Sequence, residues 1–160
     1  MGFHKVKSGT YMFRSYMSIA LEEARAAASR GEVPVGAVIV SASGAVIAQA
    51  GNRTREFNDP SAHAEMLAIR QACDTLGQER LSGYDLYVTL EPCAMCAGVI
   101  SHARLRRLYF AAADPKSGGV HVGARVFDHT QCHHAPEVYE GDHEAEAAQL
   151  LKSFFAGKRR

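Results

Sequence analysis

The spacing of apolar and polar residues along the chain predicts an ordered series of helices and strands. Residues 13–30 are predicted to form a helix, because apolar residues such as Met17 and Leu21 recur at intervals of three or four positions. Two apolar runs follow at 33–40 and 45–50, and the short polar stretch between them ends in glycine. This pattern predicts two strands joined by a hairpin turn.

The rest of the chain alternates between helix and strand patterns. We predict a helix ending near Leu76, a strand at 86–90, a helix ending near His102, a strand at 107–112, a short strand at 137–139 and a closing helix at 143–155. Such alternation is typical of an α/β sandwich with a mixed sheet. Residues 1–11 are predicted to be a flexible extension that precedes the domain.

Length and composition limit the possible classes of protein. The chain has 160 residues, which suits one domain with a sizeable core. Its apolar runs are far shorter than the ~20 residues that span a bilayer, and its first residues lack the pattern of a signal peptide. Four cysteines, two of them in a candidate metal site, favour free thiols in a reducing compartment. We therefore expect no membrane segment and a cytoplasmic location.

The formal charge of +1 is low for a protein that binds nucleic acid. Basic residues nevertheless form local clusters at Arg53 and Arg55, at 104–107 and at 158–160. Taken alone, each cluster is typical of a solvated face or, at the C-terminus, of a frayed tail. Beside a nucleic-acid site, the same residues would be candidates for phosphate contacts.

The main chemical signal is a split metal-binding pattern. His63 precedes Glu65 by two residues, and Cys93 and Cys96 follow on a separate segment. One imidazole and two thiolates give zinc three protein ligands, whereas a structural zinc normally has four and a catalytic zinc keeps one position open for water. Glu65 is then a candidate to carry a proton between that water and a leaving group. This combination favours hydrolytic deamination.

The spacing of these residues predicts how they meet. Residues 58–61 and the Glu91-Pro92 pair are helix-start signals, so His63 is predicted to lie in the first turn of a helix. Residues two apart on a helix point about 200° away from each other, so His63 and Glu65 share a site only over the helix end. We therefore predict a zinc held between two helix N-termini, which also favour the thiolate form of cysteine.

Two other interpretations of the cysteine pair remain open. A Cys-x-x-Cys sequence also occurs in redox proteins, although no thioredoxin-like pattern surrounds this one. A structural zinc in a nucleic-acid-binding module without catalysis would need a fourth ligand. The candidates for that ligand are Cys73, His102, Cys132, His133 and His134.

Two longer motifs carry a resemblance to a known family. Residues 59–66 (DPSAHAEM) and 86–98 (LYVTLEPCAMCAG) resemble the zinc-dependent nucleoside and nucleobase deaminases, most closely the bacterial tRNA-specific adenosine deaminases. Shorter matches lie at 32–37 (EVPVGA), 51–53 (GNR) and 113–118 (ADPKSG). The resemblance extends over residues from about Met12 to about Phe155 in this sequence.

The resemblance implies a fold and an activity. It implies a cytidine deaminase-like three-layer α/β/α sandwich with a central mixed five-stranded sheet, as a single zinc deaminase domain over residues 12–160. The implied reaction converts adenosine to inosine at the wobble position of the arginine tRNA anticodon and releases ammonia. Such enzymes are homodimers with one zinc per subunit, and both subunits contact the anticodon stem-loop. A deaminase of a free base or nucleoside, of guanine or cytosine type, is the alternative.

The resemblance also implies roles for individual residues. The zinc ligands would be His63, Cys93 and Cys96, and Glu65 would be the catalytic proton carrier. Contacts to the substrate would come from Asn52, Ala64, Pro92, Asp114, Arg53 and Lys116. Two of these have simpler interpretations, since Asn52 could belong to a strand-end turn and Asp114 could cap a loop.

Overall fold

The computed structural model describes residues 15–158 and has four helices and five strands in alternation. In chain order these are α1 (Tyr16–Ser29), β1 (Gly36–Val40), β2 (Val46–Gly51), α2 (Ala64–Leu76), β3 (Asp85–Leu90), α3 (Ala94–His102), β4 (Arg107–Ala112), β5 (Glu137–Glu140) and α4 (Glu144–Lys158). A short 3-10 helix, Val126–Asp128, lies between β4 and β5. The predicted order of elements is confirmed, with strand and helix ends that differ by a few residues.

The five strands form one mixed sheet in the order β2-β1-β3-β4-β5. Strand β1 pairs antiparallel with both β2 and β3, whereas the pairs β3–β4 and β4–β5 are parallel. The parallel connections pass through α3 after β3 and through a longer segment after β4. The carboxyl ends of β3 and β4 therefore lie side by side, and Leu90 pairs with Ala112 there.

Helices cover both faces of this sheet. Helices α1 and α4 pack on one face, and α2 and α3 lie on the other. Strand β1 is buried along its whole length, because Val38 and Val40 face the α1 side while Ala37 and Ile39 face the α2 side. A strand that is buried on both faces has apolar residues at consecutive positions, which explains the apolar run at residues 33–40. The predicted three-layer α/β/α sandwich with a mixed five-stranded sheet is confirmed.

Helix α1 lies unusually close to the strand that begins at Gly36. A Cβ atom at this glycine would lie 1.8 Å from the carbonyl oxygen of Ala20 and 2.7 Å from the backbone nitrogen of Ala24. Both alanines are fully buried. The helix backbone thus approaches the strand backbone directly, and only glycine fits at this contact.

Some sequence predictions concern residues outside the described part of the chain. The proposed extension at 1–11 and the first two residues of the predicted 13–30 helix lie there, as do Arg159 and Arg160. Helix α1 begins after Ser15, whose hydroxyl accepts a hydrogen bond from the Ser18 N–H and caps the helix. Within residues 15–158, every helix is too short or too polar to serve as a membrane-spanning segment.

Candidate metal centre and substrate cleft

His63 is the residue that immediately precedes helix α2. Its backbone is extended, with φ −72° and ψ 154°, and its side chain makes no capping hydrogen bond. The prediction that it lies in the first turn is wrong, because Asp59 folds the preceding residues into a separate turn by accepting hydrogen bonds from the N–H and hydroxyl of Ser61. The helix therefore starts at Ala64, and the imidazole is free to extend past the helix end.

Cys93 has the same position relative to helix α3. Its backbone is extended, with φ −70° and ψ 173°, and its thiol makes no capping hydrogen bond. Cys96 lies in the first turn of α3 and is fully buried. The chain enters α3 directly from the end of β3 through Glu91 and Pro92. Two helix N-termini therefore meet at one point, as the spacing of the motifs predicts.

The three side chains form a triangle of metal-binding size. The Nδ1 atom of His63 lies 3.6 Å from the Sγ atom of Cys93 and 3.6 Å from that of Cys96. In a tetrahedral zinc site with bonds of about 2.3 Å to sulfur and about 2.05 Å to nitrogen, the nitrogen–sulfur edge is about 3.6 Å. Both nitrogen–sulfur distances thus have the length that a tetrahedral zinc site requires, and all three ligand atoms lie within 4.8 Å of one another.

No fourth protein ligand joins this group within residues 15–158. Several candidates for a closed structural site are engaged elsewhere: the Cys132 thiol donates to the backbone oxygen of His134, and the Cys73 thiol donates to that of Glu79. The imidazole of His134 is in turn hydrogen bonded to the backbone oxygen of Leu105. Three ligands and an open fourth position are the arrangement of a catalytic zinc.

Hydrogen bonds among the three metal-binding residues favour the thiolate form of Cys93. The pKa of Cys93 is lowered to about 4, first because its sulfur accepts a hydrogen bond from the Cys96 thiol and then because of the neighbouring His63. The same bond raises the pKa of Cys96, the donor, and burial raises it further. The hydrogen bond with Cys93 also raises the pKa of His63. A thiol that binds a metal loses its proton, so the second thiolate would form on metal binding.

Glu65 is a buried carboxyl beside this triangle, with only 3% of its surface exposed. Loss of water around the carboxylate raises its pKa, while the nearby His63 acts in the opposite direction. It does not belong to the group of metal ligands. A carboxyl whose pKa is raised in this way is suited to accept and release a proton.

Asn52 connects the end of β2 to the start of α2. Its Oδ1 accepts a hydrogen bond of 2.8 Å from the N–H of Ala64, the first residue of the helix. Its backbone oxygen accepts a bond of 3.1 Å from the guanidinium of Arg30. No hydrogen bond within the described residues uses its amide nitrogen, although the residue is only 8% exposed. Asn52 thus caps α2 and keeps its amide N–H groups available as donors.

Two more predicted substrate contacts lie on the loop after β4. The Oδ1 of Asp114 accepts hydrogen bonds from the N–H groups of Lys116 and Ser117, so this carboxylate caps a turn. Lys116 is exposed. The backbone groups proposed to hold the base are partly occupied, since Ala64 donates to Asn52 and the Pro92 oxygen accepts from the Gly119 N–H.

Arg53 precedes the metal-binding residues in the sequence. It lies on the loop of residues 53–62 that joins Asn52 to His63. Its guanidinium pairs with Glu56 and lies 5.9 Å from the ring centroid of Phe57. Its backbone N–H donates to the oxygen of Ala62, which ties the two ends of this loop together. To make the predicted phosphate contact, Arg53 would therefore have to release its ion pair with Glu56.

A buried acid that the sequence analysis did not identify holds the loop after β4. Glu91 is 2% exposed, and its carboxylate accepts hydrogen bonds from the N–H groups of Asp114, Val120 and His121. Nearby, a Cβ atom at Gly119 would lie 2.5 Å from the backbone nitrogen of Ala94. The loop thus lies directly on the N-terminus of α3. The signal in the sequence was an acid directly after strand β3, next to Pro92 and Cys93.

A second buried acid, Glu32, has the same role for the 53–62 loop. It is 1% exposed, and its two carboxylate oxygens accept hydrogen bonds of 3.0 and 3.1 Å from the N–H groups of Arg55 and Glu56. The two loops that flank the metal-binding triangle are therefore each held by a buried carboxylate. Neither acid follows from helix or strand periodicity.

Comparison with known proteins gives consistent results. Residues 12–112 match the family model for the cytidine and deoxycytidylate deaminase zinc-binding region. The chain is 60% identical over 144 residues to the tRNA-specific adenosine deaminase of Agrobacterium fabrum, covering 90% of this chain and 94% of that protein.

Solved structures are also similar. A structure from a study of A-to-I editing by tRNA:A34 deaminases at the wobble position of transfer RNA is 61% identical with a TM-score of 0.83, covering 85% of this chain and 98% of that one. A guanine deaminase from Nitrosomonas europaea is 26% identical with a TM-score of 0.76, covering 88% and 83%. The chain belongs to the cytidine and deoxycytidylate deaminase zinc-binding family and, within it, to the tRNA-specific adenosine deaminases.

Proposed function

We propose that this protein is a zinc-dependent tRNA adenosine deaminase that converts adenosine to inosine at the wobble position of an anticodon and releases ammonia. The observation that carries the choice of substrate is the identity of 60% to a tRNA-specific adenosine deaminase over nearly the full length of both chains. Guanine deaminases are less similar, with 42% identity over 61% of this chain for one structure and 26% over 88% for another. The arginine tRNA is the expected substrate within this class.

The geometry supports a hydrolytic mechanism. His63, Cys93 and Cys96 would hold one zinc per chain, since their 3.6 Å spacing fits a tetrahedral site with an open position. A zinc ion there would supply the Lewis acidity that makes water nucleophilic near neutral pH. The two helix N-termini behind these ligands favour the negative charge of the thiolates.

Glu65 is the proposed proton carrier. The oxygen of water forms a bond to carbon 6 of the adenine ring, and the bond from this carbon to the amino nitrogen breaks. One proton of the water passes through Glu65 to the amino group, which leaves as ammonia, and the other ends on ring nitrogen 1. Burial of Glu65 excludes bulk water, which would otherwise compete for these protons.

The residues that would position the nucleoside lie on both flanks of the site. The amide nitrogen of Asn52, which is not used in a hydrogen bond within residues 15–158, is a donor for an acceptor on the base or sugar. One oxygen of Asp114 is occupied by the turn, and the other has no hydrogen-bond partner among the described residues. Backbone around Ala64 and Pro92 would line the base pocket. Arg53 and Lys116, on the two flanking loops, would contact phosphates.

We infer the remaining properties from the resemblance to this family. Residues 12–160 would form a single deaminase domain that works as a homodimer in the cytoplasm, where its tRNA substrate is found. The free cysteines are consistent with a reducing compartment. The proposed dimer surface is formed by helix α3 and the segment of residues 104–107.

The test is deamination of an arginine tRNA anticodon hairpin by the purified protein, read as an A-to-G change after reverse transcription. Free adenine, guanine and cytosine are assayed in parallel by ammonia release. The matched variant is Glu65→Gln, which should bind one zinc per chain by metal analysis and lose about 10²–10⁴-fold in kcat/KM.

Efficient deamination of a free base with an unchanged hairpin would overturn the choice of substrate. Retained turnover by Glu65→Gln would instead overturn the role of this carboxyl. These two results are independent, so each part of the proposal can fail on its own.

A further inference from the structure

The 53–62 loop carries an aromatic side chain that the protein core does not use. Phe57 is 53% exposed, the highest value among the large apolar residues of the described chain. It lies at the tip of the loop that joins Asn52 to His63. Single exposed apolar side chains are common on protein surfaces, but this one lies on the loop that joins two residues of the site, where a bound ligand would cover it.

The backbone that presents Phe57 is held in place. The N–H groups of residues 55–59 all donate hydrogen bonds within the protein, two of them to the buried carboxylate of Glu32. The loop closes on itself through the bond from Arg53 N–H to the oxygen of Ala62. The cation–π contact with Arg53 adds to this support. Phe57 is thus an exposed ring on a fixed loop.

We propose that Phe57 is a stacking platform for a nucleobase that neighbours the target adenosine in the single-stranded loop of the RNA. This inference rests on the proposed function and adds a specific recognition contact to it. Single-stranded RNA is commonly recognised by aromatic side chains on which unstacked bases lie. A target base that enters the metal site leaves its neighbours unstacked at the rim, where this loop lies.

The two ends of the 53–62 loop hold Phe57 beside the site. Asn52 at one end and His63 at the other both belong to the site, and Phe57 is five residues from the first and six from the second. The bond between the loop ends keeps the loop compact. The ring therefore lies on a short loop whose two ends are residues of the site. The exposed Arg55 beside it donates a hydrogen bond to the backbone oxygen of Gly31 and has no acidic partner among the described residues, so its charge suits the phosphate of an adjacent nucleotide.

The experiment compares the wild-type protein with Phe57→Ala, Phe57→Trp and Val46→Ala on the arginine tRNA anticodon hairpin. Val46 is also exposed, at 40%, but lies on the edge strand β2 and serves as the control for removal of a surface apolar side chain. Phe57→Ala should raise KM about 10-fold and leave kcat unchanged, because a stacked neighbour binds equally in the ground and transition states. Phe57→Trp should keep the wild-type KM, and Val46→Ala should not change it.

A set of hairpins, each with one abasic site next to the target adenosine, identifies the stacked base. On the hairpin that lacks this base, wild type and Phe57→Ala should have the same KM. An unchanged KM for Phe57→Ala on the intact hairpin, or an increase that persists on every abasic hairpin, overturns the proposal while the deaminase assignment stands. A wild-type protein that does not act on the intact hairpin overturns both.

Discussion

Replacement of Glu91 by glutamine tests whether one buried carboxylate holds the loop after β4. The side chain accepts three backbone N–H groups at distances of 2.9 to 3.2 Å. Hydrogen bonds to a charged group contribute about 1.5–3 kcal/mol each, against about 0.5–1.5 kcal/mol for neutral ones. Glutamine keeps the size but replaces one acceptor oxygen by a donor, which must then face an N–H. We expect a loss of about 3 kcal/mol in the free energy of unfolding.

The assay is urea unfolding followed by circular dichroism, together with thermal unfolding. For a chain of this length a loss of about 3 kcal/mol lowers Tm by about 6–12 °C. Glu79→Gln is the matched control, because Glu79 is exposed and undergoes the same chemical change. Since the loop lies on the N-terminus of α3, kcat/KM on the hairpin should fall as well. A Glu91→Gln variant with the urea midpoint and Tm of the control would refute this account of the loop.

Two further predictions concern the metal and the packing of α1. Cys93→Ser should lose both zinc and activity, because the variant lacks one of three ligands; full zinc occupancy by metal analysis would count against the ligand assignment. Gly36→Ala should lose at least about 3 kcal/mol of stability, since its Cβ would collide with the backbone of Ala20. Gly157→Ala, where no atom lies within 4 Å of the new Cβ, should keep the wild-type Tm or raise it slightly, and an equal loss in both variants would contradict the steric argument.

The parts of the fold that sequence predicted are those with a local signal. Strand β1 was visible because both of its faces are buried, and α1 was visible because Met17 and Leu21 recur at helical spacing. The metal-binding triangle was also predictable. Two of its members precede helices and the third lies in a first turn, so the motif spacing alone brings them to two helix ends.

The parts that sequence did not predict depend on contacts between distant segments. Glu32 and Glu91 resemble ordinary charged residues in the sequence, yet each is buried by a loop more than 20 residues away. The start of α2 was placed too early because Asp59 and Pro60 form a helix-start pattern that is used for a turn. The true start depends on Asn52, which directly follows strand β2 and accepts a hydrogen bond from the first N–H of the helix. Local propensity has no information about such partners.

The close approach of α1 to the sheet has a consequence for engineering. Because Gly36 leaves no space against the backbone of Ala20 and Ala24, substitutions by larger residues at these three positions would cause misfolding before they altered activity. Mutant libraries that seek a new substrate are therefore best confined to residues such as Phe57 and Lys116, whose exposed side chains can change size freely. Glu32 and Glu91 should be left constant in those libraries, since they keep the varied loops in position.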